Sequence, residues 1–200
     1  MRSTGKPSCL RGRVSSNVRP HMKAVALAVI EYLLGFVALA LFAFLAFGRG
    51  PATDDGFVHA FKVSGLFAAV EVAALLLRAK PANRLVLGAN IWLIAGCLAA
   101  YLELWWWLRL YQQFGEASLF VSMLIVGLAS TWLSPSGFVA KLGPTSEVRR
   151  ASLLLLASVL AALVVAMYFR GDVKFAAVLP VIALSWFNRL LRLRVTTGVA

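Results

Sequence analysis

Six apolar segments alternate with short polar segments along the chain. They cover residues 24–47, 57–77, 85–108, 118–133, 152–169 and 175–191, which we call spans one to six. Their lengths approach or exceed the about 20 residues that an α-helix, rising 1.5 Å per residue, needs to cross a hydrocarbon core of about 30 Å. The pattern therefore predicts an all-α fold, a polytopic membrane bundle of about six transmembrane helices.

Span three is the clearest of the six, because both of its ends carry membrane-interface signals. Residues 85–108 contain only one Asn and one Glu among apolar residues. Basic residues precede the span, and three consecutive tryptophans stand at its finish: Arg78, Lys80 and Arg84, then Trp105, Trp106 and Trp107. Basic residues are enriched in cytoplasmic links and tryptophans at both membrane interfaces, so span three is predicted to begin at the cytoplasmic side.

The distribution of basic residues between alternate links predicts the orientation of the whole bundle. If the N-terminus is cytoplasmic, the outer side keeps only five of the 20 Lys and Arg residues: Arg49, Lys62, Arg109, Arg170 and Lys174. The remainder lie in the tails, the 78–84 link, the 134–150 link and at the end of span six, which is a strong positive-inside bias. Both termini are therefore predicted to be cytoplasmic, in a cell (inner or plasma) membrane.

The two ends of the chain are predicted to be tails outside the bundle. Residues 1–23 are basic, contain Gly, Pro and Ser and lack apolar periodicity, as expected for a disordered segment, and residues 192–200 form a short basic tail. Met22 directly before span one is an alternative start to Met1. A cleaved signal peptide is disfavoured, because span one exceeds the usual apolar region of about 7–15 residues and Glu31 interrupts it.

Composition supports a membrane protein and argues against a nucleic-acid partner. Hydrophobic residues make up 61% of the chain, charged residues only 14%, and the net charge is +12. Because this charge is divided among links by membrane sidedness, anionic lipid at the cytoplasmic face is the expected partner. Cys9 and Cys97 are the only cysteines, and we expect no disulfide between them, no metal site and no cofactor.

Three polar residues inside the spans are predicted to lie at one depth. Glu31, Glu71 and Asn90 each lie six to eight residues from a basic cytoplasmic end, about 9–12 Å at 1.5 Å per residue. Carboxyl groups are costly in a bilayer and need partners. Two carboxyl groups this close would share a proton, so the cluster predicts a proton- or cation-handling site. Structural contacts between helices are the alternative interpretation.

Near the opposite face, Lys62 and Glu103 have similar predicted depths and are predicted to form an interhelical ion pair. The alternative interpretation is that both side chains extend to the membrane interface, in which case the pair has only a structural role. Trp105, Trp106 and Trp107 are predicted to anchor the helix in the interfacial belt. Asp54, Asp55 and His59 are interpreted as a solvated loop with an interfacial histidine rather than as metal ligands.

The sequence contains no catalytic or phosphate-binding motif, so we expect a protein that is not an enzyme. Two hypotheses from different classes follow. The chain is either a small transporter or channel-like protein that uses the carboxyl cluster, or a non-catalytic accessory subunit of a membrane assembly. A homo-oligomer and a different membrane-protein partner both stay open.

Overall fold

The computed structural model describes residues 36–48, 53–77 and 82–197. Glu31, Cys9, the basic tail 1–23 and the first half of span one lie outside these described residues. Seven α-helices occur in the described part, together with one π-helical segment, Lys174–Val178. The helices are α1 (Val37–Phe47), α2 (Asp54–Leu76), α3 (Arg84–Tyr101), α4 (Trp105–Phe114), α5 (Ala117–Leu133), α6 (Thr145–Tyr168) and α7 (Leu179–Thr197).

Four helical segments are long and apolar enough to cross a membrane: α2, α3, α6, and the π-helical segment together with α7. Helices α4 and α5 pass the same test only as a pair, and they meet at an angle of 102°. Counting that pair as one span gives up to five candidate spans among the described residues. Helix α1, with 11 described residues, is shorter. The fold is thus all-helical with four or five candidate spans.

Side-chain caps explain where α2 and α3 begin. Thr53 accepts a hydrogen bond from the Gly56 N–H (3.2 Å), and Asn83 accepts one from the Leu85 N–H (3.3 Å). Both residues are strong N-cap formers because their side-chain oxygens satisfy N–H groups that lack partners within the helix. Asp54 and Asp55, in the first turn of α2, add a favourable interaction with the helix dipole.

Helix α3 ends at Tyr101, seven residues before the predicted end of span three. Glu103 adopts a positive φ of 52°, and the Leu104 N–H donates to the Ala99 carbonyl (2.9 Å). This 6→1 hydrogen bond around a left-handed residue is the Schellman motif that stops helices. Glycine usually occupies the left-handed position, so a glutamate there gave no stop signal in the sequence. The three tryptophans consequently start α4.

Four main contacts join chain neighbours: α1 with α2, α2 with α3, α5 with α6, and α6 with α7. The fifth joins α3 with α5 and bypasses the short helix α4. Glycines permit the closest approaches. A methyl group at Gly96 would overlap the Phe61 ring, and one at Gly65 would overlap the Cys97 side chain. These contacts let α2 and α3 approach without intervening side chains, as small residues commonly do in membrane bundles.

The link between α5 and α6 is packed into the protein, although its Pro, Gly and Ser content predicted a polar link. Phe138 and Val139 are completely buried, and the Phe138 ring lies against Gly127 of α5. The Phe138 N–H (2.9 Å) and the Val139 N–H (3.4 Å) both donate to the buried Ser152 hydroxyl of α6. The link therefore contributes to the core between α5 and α6.

Candidate functional site

The Glu71 carboxylate of α2 connects three helices. One oxygen accepts a hydrogen bond from the Asn90 side-chain amide of α3 (2.9 Å), and the other accepts one from the Ala38 backbone N–H of α1 (3.2 Å). Glu71 lies five residues before the end of α2, and Asn90 lies six residues after the start of α3. The antiparallel arrangement therefore brings both side chains to one level, about 8–9 Å from those helix ends at 1.5 Å per residue.

The contact with Ala38 exists because α1 begins inside the predicted span one. Phe36 precedes α1 without a side-chain cap, and the N–H groups in the first turn of a helix have no acceptor within the helix itself. Glu71 supplies an acceptor and a negative charge from another helix, where the dipole of α1 favours an anion. At 11 residues, the helix rises only about 16.5 Å, roughly half the hydrocarbon core.

Asn90 is completely buried, and its amide is only partly satisfied. The Nδ2 group donates to Glu71, whereas Oδ1 has no hydrogen-bond partner among the residues that the structure describes. A buried carbonyl oxygen without a partner is costly, by about 1–3 kcal/mol. The oxygen therefore offers an acceptor to a proton donor or a cation next to the Glu71 carboxylate.

The structure thus brings together Glu71 and Asn90, two of the three residues of the predicted cluster. Glu31, the third, lies outside the described residues, so its place beside them stays a prediction. Nothing in the sequence indicated the contribution of Ala38, because a backbone N–H is common to every residue except proline. Only the position at which α1 begins makes that group available to a carboxylate.

Lys62 and Glu103 lie in different local settings. The Lys62 ammonium lies 5.2 Å from the centroid of the Tyr101 ring, a distance suited to a cation–π interaction. Glu103 is exposed in the turn between α3 and α4. The ion pair between them stays a prediction. The Cys97 thiol, which is free and buried, lies 3.6 Å from the Lys62 carbonyl oxygen.

The three tryptophans begin an amphipathic helix rather than ending a straight span. Trp105 and Trp106 are more than half exposed, while Leu108 and Tyr111 on the other face are buried. Tyr111 stacks on Phe61 with ring centroids 5.4 Å apart, and Trp107 contacts Tyr111 edge-on at 5.9 Å. Tryptophans on a short helix bent sharply from its neighbour fit an interfacial position, so the anchoring role stays the expected one.

Asp54 does not belong to a ligand cluster in the part of the chain that the structure describes, where no group of three or more His, Cys, Asp or Glu residues could hold a metal ion. Its carboxylate accepts a hydrogen bond from the Gln112 side chain of α4 (2.7 Å). This contact connects the start of α2 to α4.

A second polar network, which the sequence did not indicate, joins α3, α5 and α7 at the opposite ends from α4. Asn188 donates to the Asn83 side chain (3.2 Å), and Arg84 donates to the Ser134 hydroxyl (3.2 Å). Arg192 donates to the Val139 carbonyl (2.8 Å). Asn83, Arg84 and Ser134 lie at helix ends, where polar residues are ordinary, whereas Asn188 is buried at the middle of α7. We interpret the network as interhelical packing.

No known protein family, curated protein or solved structure matches this chain. The fold and the contacts of Glu71 therefore carry the functional interpretation. They define a helical protein with several candidate membrane spans and one carboxylate shared by three helices.

Proposed function

We propose that this chain is a small inner-membrane transport or channel-like protein in which Glu71 and Asn90 handle a proton or a monovalent cation. The observation that carries the proposal is the contact of Glu71 with the N-terminus of a half-length helix, α1. In transporters, the N-termini of half-helices inside the membrane direct their N–H groups at anionic groups of the substrate. Here the anion is the Glu71 carboxylate, whose charge a proton or a cation can neutralise. Asn90 Oδ1, which has no hydrogen-bond partner in the described part of the chain, supplies a further oxygen beside this carboxylate.

The experiment is flux measurement in proteoliposomes, with protons, Na⁺ and K⁺ tested separately. Glu71→Gln keeps an acceptor oxygen for the Ala38 N–H, and its NH2 group can donate to Asn90 Oδ1 once the Asn90 amide is turned over. The substitution removes the titratable charge, so the fold is retained and flux falls to the level of empty vesicles. The matched control is Glu147→Gln, which removes a carboxylate from the first turn of α6 and leaves flux unchanged. Native flux in Glu71→Gln would exclude this site.

A role as a structural or accessory subunit is the second candidate, and one observation favours it. Both Glu71 oxygens already accept hydrogen bonds within the protein, so the carboxylate also joins α2 to α1 and α3. In that case the native protein shows no flux for any of the three ions. Glu71→Leu then releases α1 and abolishes co-purification of the partner assembly from the native membrane, while Glu147→Gln does not.

A further inference from the structure

An open groove of about 540 Å³ lies between α6 and α7. Its volume is in the range of sites that hold small molecules, about 300–1,000 Å³. The α6 wall includes Ala161 and Val165, and the α7 wall includes Pro180 and Ala183. Phe169 and Phe175 lie at the end near the 169–174 turn. We call this feature the α6–α7 groove.

The local sequence explains why α6 and α7 separate there. Pro180 has no backbone N–H, and its ring would collide with the carbonyl of Ala176 in a regular helix. The chain adopts the π-helical segment Lys174–Val178 just before this proline, which accommodates an extra residue in the turn. Ala161 and Ala183 are exposed and too small to fill the space that remains.

The lining of the groove selects an apolar occupant. Among the described lining residues, Ser158 alone bears a hydroxyl, and that hydroxyl donates to the Leu154 carbonyl of its own helix (2.9 Å). The remaining lining residues have hydrocarbon side chains. A polar ligand would therefore lose hydrogen bonds to water without gaining partners in the groove.

The length of the groove fits a lipid chain better than a partner helix. From Phe175 to Phe187, at its far end, the chain rises about 18 Å, close to the roughly 15 Å of one leaflet of the hydrocarbon core. A transmembrane helix of a partner would need a contact surface along the full core of about 30 Å. An acyl chain that enters from the leaflet beside the 169–174 turn would end where the groove ends.

The turn at the mouth of the groove carries a net positive charge. Arg170 and Lys174 lie on either side of Asp172, whose carboxylate accepts the Lys174 backbone N–H (3.1 Å). One Arg170 nitrogen donates to the Gln112 carbonyl (3.0 Å), which leaves other donors on the five-donor guanidinium for further acceptors. A phosphate group at the membrane surface matches this arrangement of cations.

We propose that the α6–α7 groove holds one acyl chain of an anionic phospholipid whose phosphate lies beside Lys174 and Arg170, in the leaflet that the positive-inside bias places on the outer side. Bulk lipid is as apolar as the groove, so the hydrophobic effect does not favour binding there. Dispersion contacts with the groove walls and the charged headgroup make the bound lipid more stable in the groove than in the bulk bilayer. This site is independent of Glu71, and its test does not depend on whether the protein transports ions.

The test uses the full chain in phosphatidylcholine vesicles that contain a trace of phosphatidylglycerol with a photoreactive diazirine in mid-acyl chain. Cross-linked peptides are mapped by mass spectrometry and should concentrate on the groove, around Val165 and Leu184. Ala161→Leu combined with Ala183→Leu fills the groove and should lose this excess labelling. The control is Ala157→Leu, which places the same side chain at an exposed position one turn earlier in α6, outside the groove. The excess labelling of the groove should remain in this control.

The headgroup is tested with a phosphatidylcholine probe that carries the same acyl diazirine. Native protein should label more strongly with phosphatidylglycerol, and Lys174→Gln should reduce that labelling toward the phosphatidylcholine level, with Arg170 retaining part of the preference. The proposal would be overturned if the cross-links were spread evenly over all exposed residues. It would also be overturned if they were unchanged in the variant with Ala161→Leu and Ala183→Leu. Chain-to-chain cross-links at the groove would also overturn it, because they would assign the groove to a second copy.

Discussion

The Ser152 hydroxyl stabilises a buried turn within an otherwise apolar part of the chain. Ser152 lies in an uncharged apolar segment and had no predicted role, yet its hydroxyl accepts two backbone N–H groups from the buried turn before α6. Gly137, with a φ of +57°, brings that turn close to the hydroxyl, and a methyl group at Gly137 would collide with it. Ser152 is therefore expected to be a stability residue rather than a functional one.

We predict that Ser152→Ala lowers the free energy of unfolding by about 1–3 kcal/mol, because two buried N–H groups lose their acceptor. Reversible unfolding in mixed micelles, followed by circular dichroism, measures the effect. Ser158→Ala is the matched control on the same helix, since its hydroxyl bonds only the Leu154 carbonyl, and its effect should stay within about 0.5 kcal/mol. Equal effects of the two substitutions would contradict this account of Ser152.

Glu103 shows a different relation between residue and structure. A glutamate near the end of an apolar run is predicted to be an intramembrane charge that needs a partner, yet the structure places it in the exposed turn that stops α3. Its side chain therefore avoids the cost of charge burial that motivated the ion-pair prediction. Glu103 affects the fold through its left-handed backbone, which ends α3, rather than through its carboxylate.

Among the helices, the pair α2 and α3 has the most extensive contact, and glycines set its distance. Gly65 of α2 packs against Cys97 of α3, and Gly96 of α3 packs against Phe61 of α2. Each helix therefore has one glycine where a side chain of the other helix packs. This close approach brings Glu71 and Asn90 within hydrogen-bond distance at the other end of the pair. Packing between α2 and α3 is therefore a condition for the candidate site.

Gly96→Ala should separate α2 from α3, because its methyl group would overlap the completely buried Phe61 ring. We expect a loss of about 1–3 kcal/mol in the free energy of unfolding, as for other overpacked cores. The same micelle titration measures it. Leu98→Ala, on the exposed face of α3, is the control and should have little effect. If Gly96→Ala were neutral, the contact would not determine the helix separation.

For the molecule as a whole, orientation in the membrane is the property that the sequence predicts most directly and that the contacts leave untested. The fold is all-helical with four or five candidate spans in its described part, and α4 and α5 together replace one straight span. The predicted cytoplasmic location of both termini rests on the positive-inside bias alone.

Labelling of single cysteines in intact cells tests the orientation, in a background with Cys9→Ser and Cys97→Ala, which removes both native cysteines. Asp172 lies in the exposed turn between α6 and the π-helical segment, and Leu142 lies in the exposed part of the link before α6. A membrane-impermeant maleimide should label Asp172→Cys directly, because the bias places that turn outside. Leu142→Cys should react only after permeabilisation. The reverse pattern would exclude cytoplasmic termini.

Hydrophobic patterning along the chain was sufficient to predict an all-helical membrane fold, because about 20 consecutive apolar residues have few other stable environments. It also predicted that Glu71 and Asn90 lie at one depth, since depth follows from residue counts along antiparallel helices. The end of α3, the separate helix α4 and the buried 134–140 turn required the three-dimensional arrangement. They depend on a left-handed glutamate, a bent helix pair and one serine hydroxyl, none of which alters hydrophobic periodicity. The contact of Glu71 with Ala38 is of the same kind, because a backbone N–H becomes a binding group only where a helix begins.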